Sequence, residues 1–120
     1  MSDIPRADRP DRLSIEHSQV DGVLVVTVRG EIDHDVTGRF SQALQGGRDA
    51  GTRIVADLGD VTFMDSSGIN VLVAVHQQTS GAGGWLRIAA ARESVLRVLR
   101  LVGLDAVIPC HPTVEQALSD

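Results

Sequence analysis

Short β-branched runs separated by turn signals, and a few longer stretches with helical spacing, set the pattern of apolar and polar positions along this chain. Leu13-Ser14-Ile15-Glu16-His17 alternates apolar and polar, which predicts a half-buried strand. Asp21-Gly22 is a strong two-residue turn signal, and the valine-rich run 23–28 follows it, so the two runs are expected to form an antiparallel hairpin. Gly30-Glu31-Ile32-Asp33 closes the second strand. Val36, Phe40, Ala43 and Leu44 then recur at helical spacing, and Gly46-Gly47 ends that helix or frays its last turn. The run 54–58, Ile54-Val55-Ala56-Asp57-Leu58, predicts a buried strand ending in the turn-prone Gly59-Asp60 pair.

After one more short apolar piece the chain reaches Asp65-Ser66-Ser67-Gly68, followed by the nearly contiguous apolar stretch 69–79. Its valines would suit a strand. Its length, the capping residues before it and Ser80-Gly81-Ala82-Gly83-Gly84 after it favour a helix, largely buried because it is apolar on most sides. Residues 85–89 form another short strand. The 93–101 segment is an amphipathic helix with Val95, Leu96, Leu99 and Val102 on its stripe, Arg97 and Arg100 facing away, and Gly103 as its stop. Residues 106–108 read as a short edge strand ended by Pro109, and Thr113 with Gln116 fits a capping box for a last helix through Leu118. The order is β-β-α-β-α-β-α-β-α, an α/β domain with a mixed, mostly parallel sheet. Residues 1–12, with Pro5 and Pro10 among alternating Arg and Asp, read as a flexible tail, leaving 13–120 as the single domain.

Composition narrows the function. Aromatic residues are only 2% of the 120, so the core must be aliphatic, as suits an α/β sheet. A net charge of −5 argues against nucleic acid, which demands a basic face. The single cysteine, Cys110, excludes an internal disulfide and suggests a reducing compartment. No apolar run approaches the roughly 20 residues of a membrane helix, and the N-terminus lacks a signal-peptide core, so a cytoplasmic protein without membrane insertion is expected.

The candidate chemistry lies where a strand-to-helix connection carries two serines. Free N–H groups and the positive end of the helix dipole gather there. The position can serve helix capping, or it can hold a phosphate. Asp33-His34-Asp35 superficially offers metal ligands. Adjacent residues opening a helix point in different directions, however, and nothing completes a site, so no metal is expected. An enzyme is not expected either. Ser66 is flanked by Met64 and Gly68 rather than by the glycines of a nucleophile elbow, no histidine is placed as a base, and no phosphate-binding loop exists. His17, His76 and His111 are scattered, and Cys110 reads as a packing residue.

Three motifs, Gly30-Glu31-Ile32-Asp33, Phe63-Met64-Asp65-Ser66-Ser67-Gly68 and Leu101-Val102-Gly103-Leu104, closely resemble the STAS domain of bacterial anti-sigma factor antagonists in order and spacing, over nearly the whole chain. The Met-Asp-Ser-Ser-Gly element is the specific one. The resemblance implies a binding module controlled by phosphorylation. Its unphosphorylated form binds an anti-sigma factor that is also a serine protein kinase, and so releases a sigma factor. Phosphorylation of the serine after the aspartate, Ser66 here, blocks binding, and a serine phosphatase resets the switch. The resemblance implies no cofactor. Asp33, Asp65, Ser66, Ser67 and Gly68 are the expected partner-binding residues. Each also has a structural reading: a helix cap for Asp33 and Asp65, capping or packing for Ser67, close helix packing or first-turn geometry for Gly68. The chain departs from the family at Asn70, where glycine is frequent, and in its Arg/Asp-rich tail. The alternative is a constitutive STAS adaptor in a signalling or transport assembly, whose serine is never phosphorylated.

Overall fold

The computed structural model describes residues 13–45 and 51–119; the expected tail, Gly46-Gly47 and Asp120 lie outside them. The elements in order are β1 (Leu13–Val20), β2 (Val23–Ile32), α1 (Thr37–Leu44), β3 (Arg53–Met64), α2 (Ser66–Gly81), β4 (Trp85–Ala89), α3 (Glu93–Leu101), a 3-10 turn (Leu104–Ala106), β5 (Cys110–His111) and α4 (Val114–Ser119). The strands lie in sequence order across one sheet, with β1 antiparallel to β2 and every later pair parallel. This is the expected α/β architecture.

Local chemistry accounts for most of the joints. Asp21 and Gly22 both take positive φ, 52° and 82°, the geometry of a two-residue hairpin turn whose twist matches its strands. Gly103, at φ 76°, follows the end of α3 in the left-handed conformation that glycine adopts without strain. Thr113 Oγ1 accepts from Gln116 N at 3.1 Å, the capping bond expected for α4.

The sheet separates two cores, and successive residues Val25 and Val26 fall in different ones, as the pleat requires. The larger packs Val26, Val28, Ile54, Ala56, Leu86 and Ile88 with residues of all three long helices, among them Phe40, Leu72 and Leu99. The smaller joins Val23, Val25, Val55 and Ala89 to Ala117 of α4. Arg87 spans this smaller core, stacking 3.7 Å over the Trp85 ring and donating to Ala117 O at 2.7 Å.

Three expectations are corrected. Gly59-Asp60 does not end a strand, because β3 runs through it to Met64. Its pairing with β2 jumps twice, between Thr27 and Arg29 and between Gly30 and Glu31. Each jump absorbs an extra β3 residue as an irregularity rather than a turn. The first is stabilised by Gly59 N donating to Asp57 Oδ1 at 3.0 Å. The 106–108 segment is not a strand. Ile108 N donates to Leu104 O at 2.8 Å, so the chain is still turning there. Pairing starts instead with Pro109, whose carbonyl accepts from Ile88 N at 2.9 Å and which needs no N–H of its own at the sheet edge. Val102 is not on the buried stripe. It lies beyond the last turn of α3 and is 58% exposed.

Candidate functional site

The parallel strands β2 and β3 end together, with Ile32 in register with Met64. Asp65 N donates to Ile32 O at 3.1 Å, tying the start of α2 to the point where the chain leaves β2. The Asp33 loop and the Asp65 turn are thereby neighbours at one end of the sheet.

Asp65 is the N-cap of α2, in extended backbone conformation. Its Oδ1 accepts from Ser67 N at 2.9 Å and also from the Ser67 hydroxyl. That hydroxyl bond holds the Asp65 carboxyl below the ordinary carboxylate value against some loss of hydration; backbone N–H groups of Ser67 and Gly68 and the His34 ring add to the effect. Ser67 is half-buried and Ser66 is exposed. Among the described residues no hydrogen bond engages the Ser66 hydroxyl.

Gly68 is buried for a steric reason. A Cβ there would sit 2.8 Å from both Ile32 Cγ2 and Met64 Cγ. The missing side chain lets the first turn of α2 rest on the ends of β2 and β3, which fits the packing reading of this glycine. Asp33 does not cap α1. Val36 occupies the N-cap position with no side-chain bond, while Asp33 Oδ1 accepts from Asp35 N at 3.0 Å and shapes the loop itself. His34 Nε2 lies 3.2 Å from Asp35 Oδ1. Among the described residues no group of His, Cys, Asp and Glu side chains could hold a metal ion.

The STAS domain family profile matches residues 14–117. The chain belongs to the STAS domain family. This STAS domain is 30% identical over 112 residues to the anti-sigma F factor antagonist of Paenibacillus polymyxa, covering 90% of this chain and 94% of that protein. It is 28% identical over 111 residues to the anti-sigma-F factor antagonist RsfB of Mycobacterium tuberculosis, with 92% and 90% covered. The crystal structure of an anti-sigma factor antagonist from Mycobacterium paratuberculosis aligns with a TM-score of 0.83 at 32% identity, covering 92% of this chain and 94% of that one.

Within the STAS domain, helix α2 carries a second feature. Over its 16 residues, Ser66–Gly81, it has no Asp, Glu, Lys or Arg, in a chain where such residues are 22%. Gly68, Ile69, Leu72, Val75 and Thr79 are buried, whereas Ser66, Asn70, Ala74 and Gln77 follow one another at helical spacing in solvent. The expectation of a largely buried helix therefore holds for one side only. The solvent side is polar but uncharged, and depletion of charged residues is one mark of the core of an interface.

Sequence reasoning missed one residue of this region. Phe63, 49% exposed, stands two residues before Asp65. Strict alternation from the buried Val61 would turn it inward. The irregular pairing of β3 instead buries Val61 and Met64 and leaves Thr62 and Phe63 outside. Among the described residues no helix is long and apolar enough to cross a membrane.

Proposed function

We propose that this STAS domain is a cytoplasmic anti-sigma factor antagonist switched by phosphorylation of Ser66. Unphosphorylated, it binds an anti-sigma factor that is also a serine kinase, and a sigma factor is released. Phosphorylated, it lets go, and a serine phosphatase resets it. The reading draws on relatives that bear the name of antagonist over nine-tenths of their length and on the resemblance carried by Met64-Asp65-Ser66-Ser67-Gly68.

The observation that carries it is the position of Ser66. Its hydroxyl is exposed and free of hydrogen bonds among the described residues, at the head of a charge-free helix face. A phosphate there adds about −1.5 to −2 charges at a helix N-terminus, where the helix dipole tolerates it. A partner seated on the neutral face would have to desolvate that dianion or repel it. A loss of roughly 3 kcal/mol would weaken binding more than 100-fold. Asp33, Asp65, Ser67 and Gly68 shape or border this surface, with Phe63 as an added apolar contact beside it. On this reading the protein is a substrate and binding module, not an enzyme.

The test is intact mass and site mapping after incubation with ATP and the anti-sigma kinases of the source bacterium, beside Ser66→Ala. One phosphate on Ser66, absent from the variant, with loss of kinase capture by the modified form, is the expected result. Capture of a partner with no phosphate under any kinase would favour the constitutive adaptor.

A further inference from the structure

Two serines stand side by side at the head of α2, and the fold treats them differently. The Ser67 hydroxyl donates to Asp65 Oδ1, which also takes Ser67 N at 2.9 Å, so backbone and side chain of Ser67 are bound to one carboxylate. The Ser66 hydroxyl is exposed and bonded to nothing among the described residues.

We infer that Asp65 decides which serine receives the phosphoryl group, by holding the Ser67 hydroxyl out of reach and leaving Ser66 as the acceptor. This rests on the phosphorylation proposed above. In the transfer the serine Oγ attacks the γ-phosphorus of ATP. The new Oγ–P bond forms as the bond from that phosphorus to the β,γ-bridging oxygen breaks; ADP departs, and the hydroxyl proton passes to a base of the kinase. The attacking oxygen must stand in line with the leaving oxygen. Ser66 Oγ is free to take that position. Ser67 Oγ must first give up Asp65 and turn out of a half-buried site. Asp65 does not offset this by acting as a base, since the bonds that cap the helix also keep its carboxyl less basic than usual. Asp65 is thus a positioning residue that selects by withdrawing the competitor.

The experiment maps phosphate on both serines, with one kinase and ATP, in wild type, Asp65→Ala, Asp65→Asn and Ser66→Ala. Asparagine is itself a good N-cap, so Asp65→Asn keeps the helix start should Asp65→Ala unfold. The wild type is expected to carry phosphate on Ser66 alone, and Ser66→Ala to carry none. In both Asp65 variants the share on Ser67 should rise at least ten-fold, more in Asp65→Ala because asparagine retains a weaker neutral acceptor. Phosphate confined to Ser66 in those variants overturns the inference while leaving the switch intact. Loss of phosphate from both serines in them also overturns it, making Asp65 a kinase contact instead. A wild type that takes no phosphate from any kinase is the separate failure of the phosphorylation reading, and removes both.

Discussion

Gly68 shows how one residue ties the site to the fold. Gly68→Ala would gain about 1 kcal/mol of helix propensity, but its methyl would lie 2.8 Å from Ile32 Cγ2 and Met64 Cγ. The isoleucine methyl belongs to a β-branched side chain with little rotamer freedom, and forced overpacking costs about 1–3 kcal/mol. A net loss of stability, read as a lower urea midpoint with unchanged slope, is expected; a raised midpoint would mean that the two strand ends yield easily. Asp65 makes a second prediction at this scale. Its carboxyl is held below the ordinary value in the folded state. Its contribution is therefore present above the unfolded value of about 4 and is lost as pH falls through the lower folded value. Urea titrations from pH 5 downward should show wild type losing more stability than Asp65→Asn. Parallel curves would show that the hydroxyl bond does not survive in solution.

At the scale of elements, α2 has two unlike sides. Leu72 is fully buried in the larger core, so Leu72→Ala should cost about 2–5 kcal/mol by chemical denaturation. On the solvent side, Asn70→Arg and Ala74→Glu should change stability by no more than about 0.5 kcal/mol. The same two variants should weaken capture of the anti-sigma partner at least ten-fold by calorimetry, since each sets a charge in a face that has none. Full binding by both would move the docking surface elsewhere. Helix α2 was legible from its length, the capping residues before it and the glycine-rich stop after it, whereas its nearly contiguous apolar residues did not show which side faces solvent. Strand β3 was less legible, because Gly59-Asp60 carries the composition of a turn and only pairing with β2 makes it an irregularity in a continuous strand. The same irregularity leaves Phe63 in solvent where strict alternation from Val61 would turn it inward.

At the scale of the molecule, Ser66 and the core lie on opposite sides of one helix, at the end of the sheet where β2 and β3 stop together. Phosphorylation should therefore alter a surface and spare the fold. The phosphorylated domain is expected to melt within about 4 °C of the unmodified one, equivalent to about 1 kcal/mol or less for a domain near this size. Its affinity for the partner should fall by 100-fold or more. A collapse of the melting temperature would instead make the switch one of folding.

The sequence by itself determined the element order, the hairpin at Asp21-Gly22, the start of α2 at Asp65-Ser66 and the stop at Gly103, because caps, turns and periodicity act over a few neighbouring residues. It also marked Ser66 through its local motif. Which serine is occupied is decided locally, by the Asp65 side chain turning to Ser67 two residues on, but the motif alone does not say so because either serine could take a capping bond. Only tertiary packing gave Gly68 its steric reason, exposed Phe63, and placed the Asp33 loop beside Asp65. The Gly68 packing, the exposure of Phe63 and the place of the Asp33 loop depend on contacts between β2, β3 and α2, segments far apart in the chain, which no local pattern encodes.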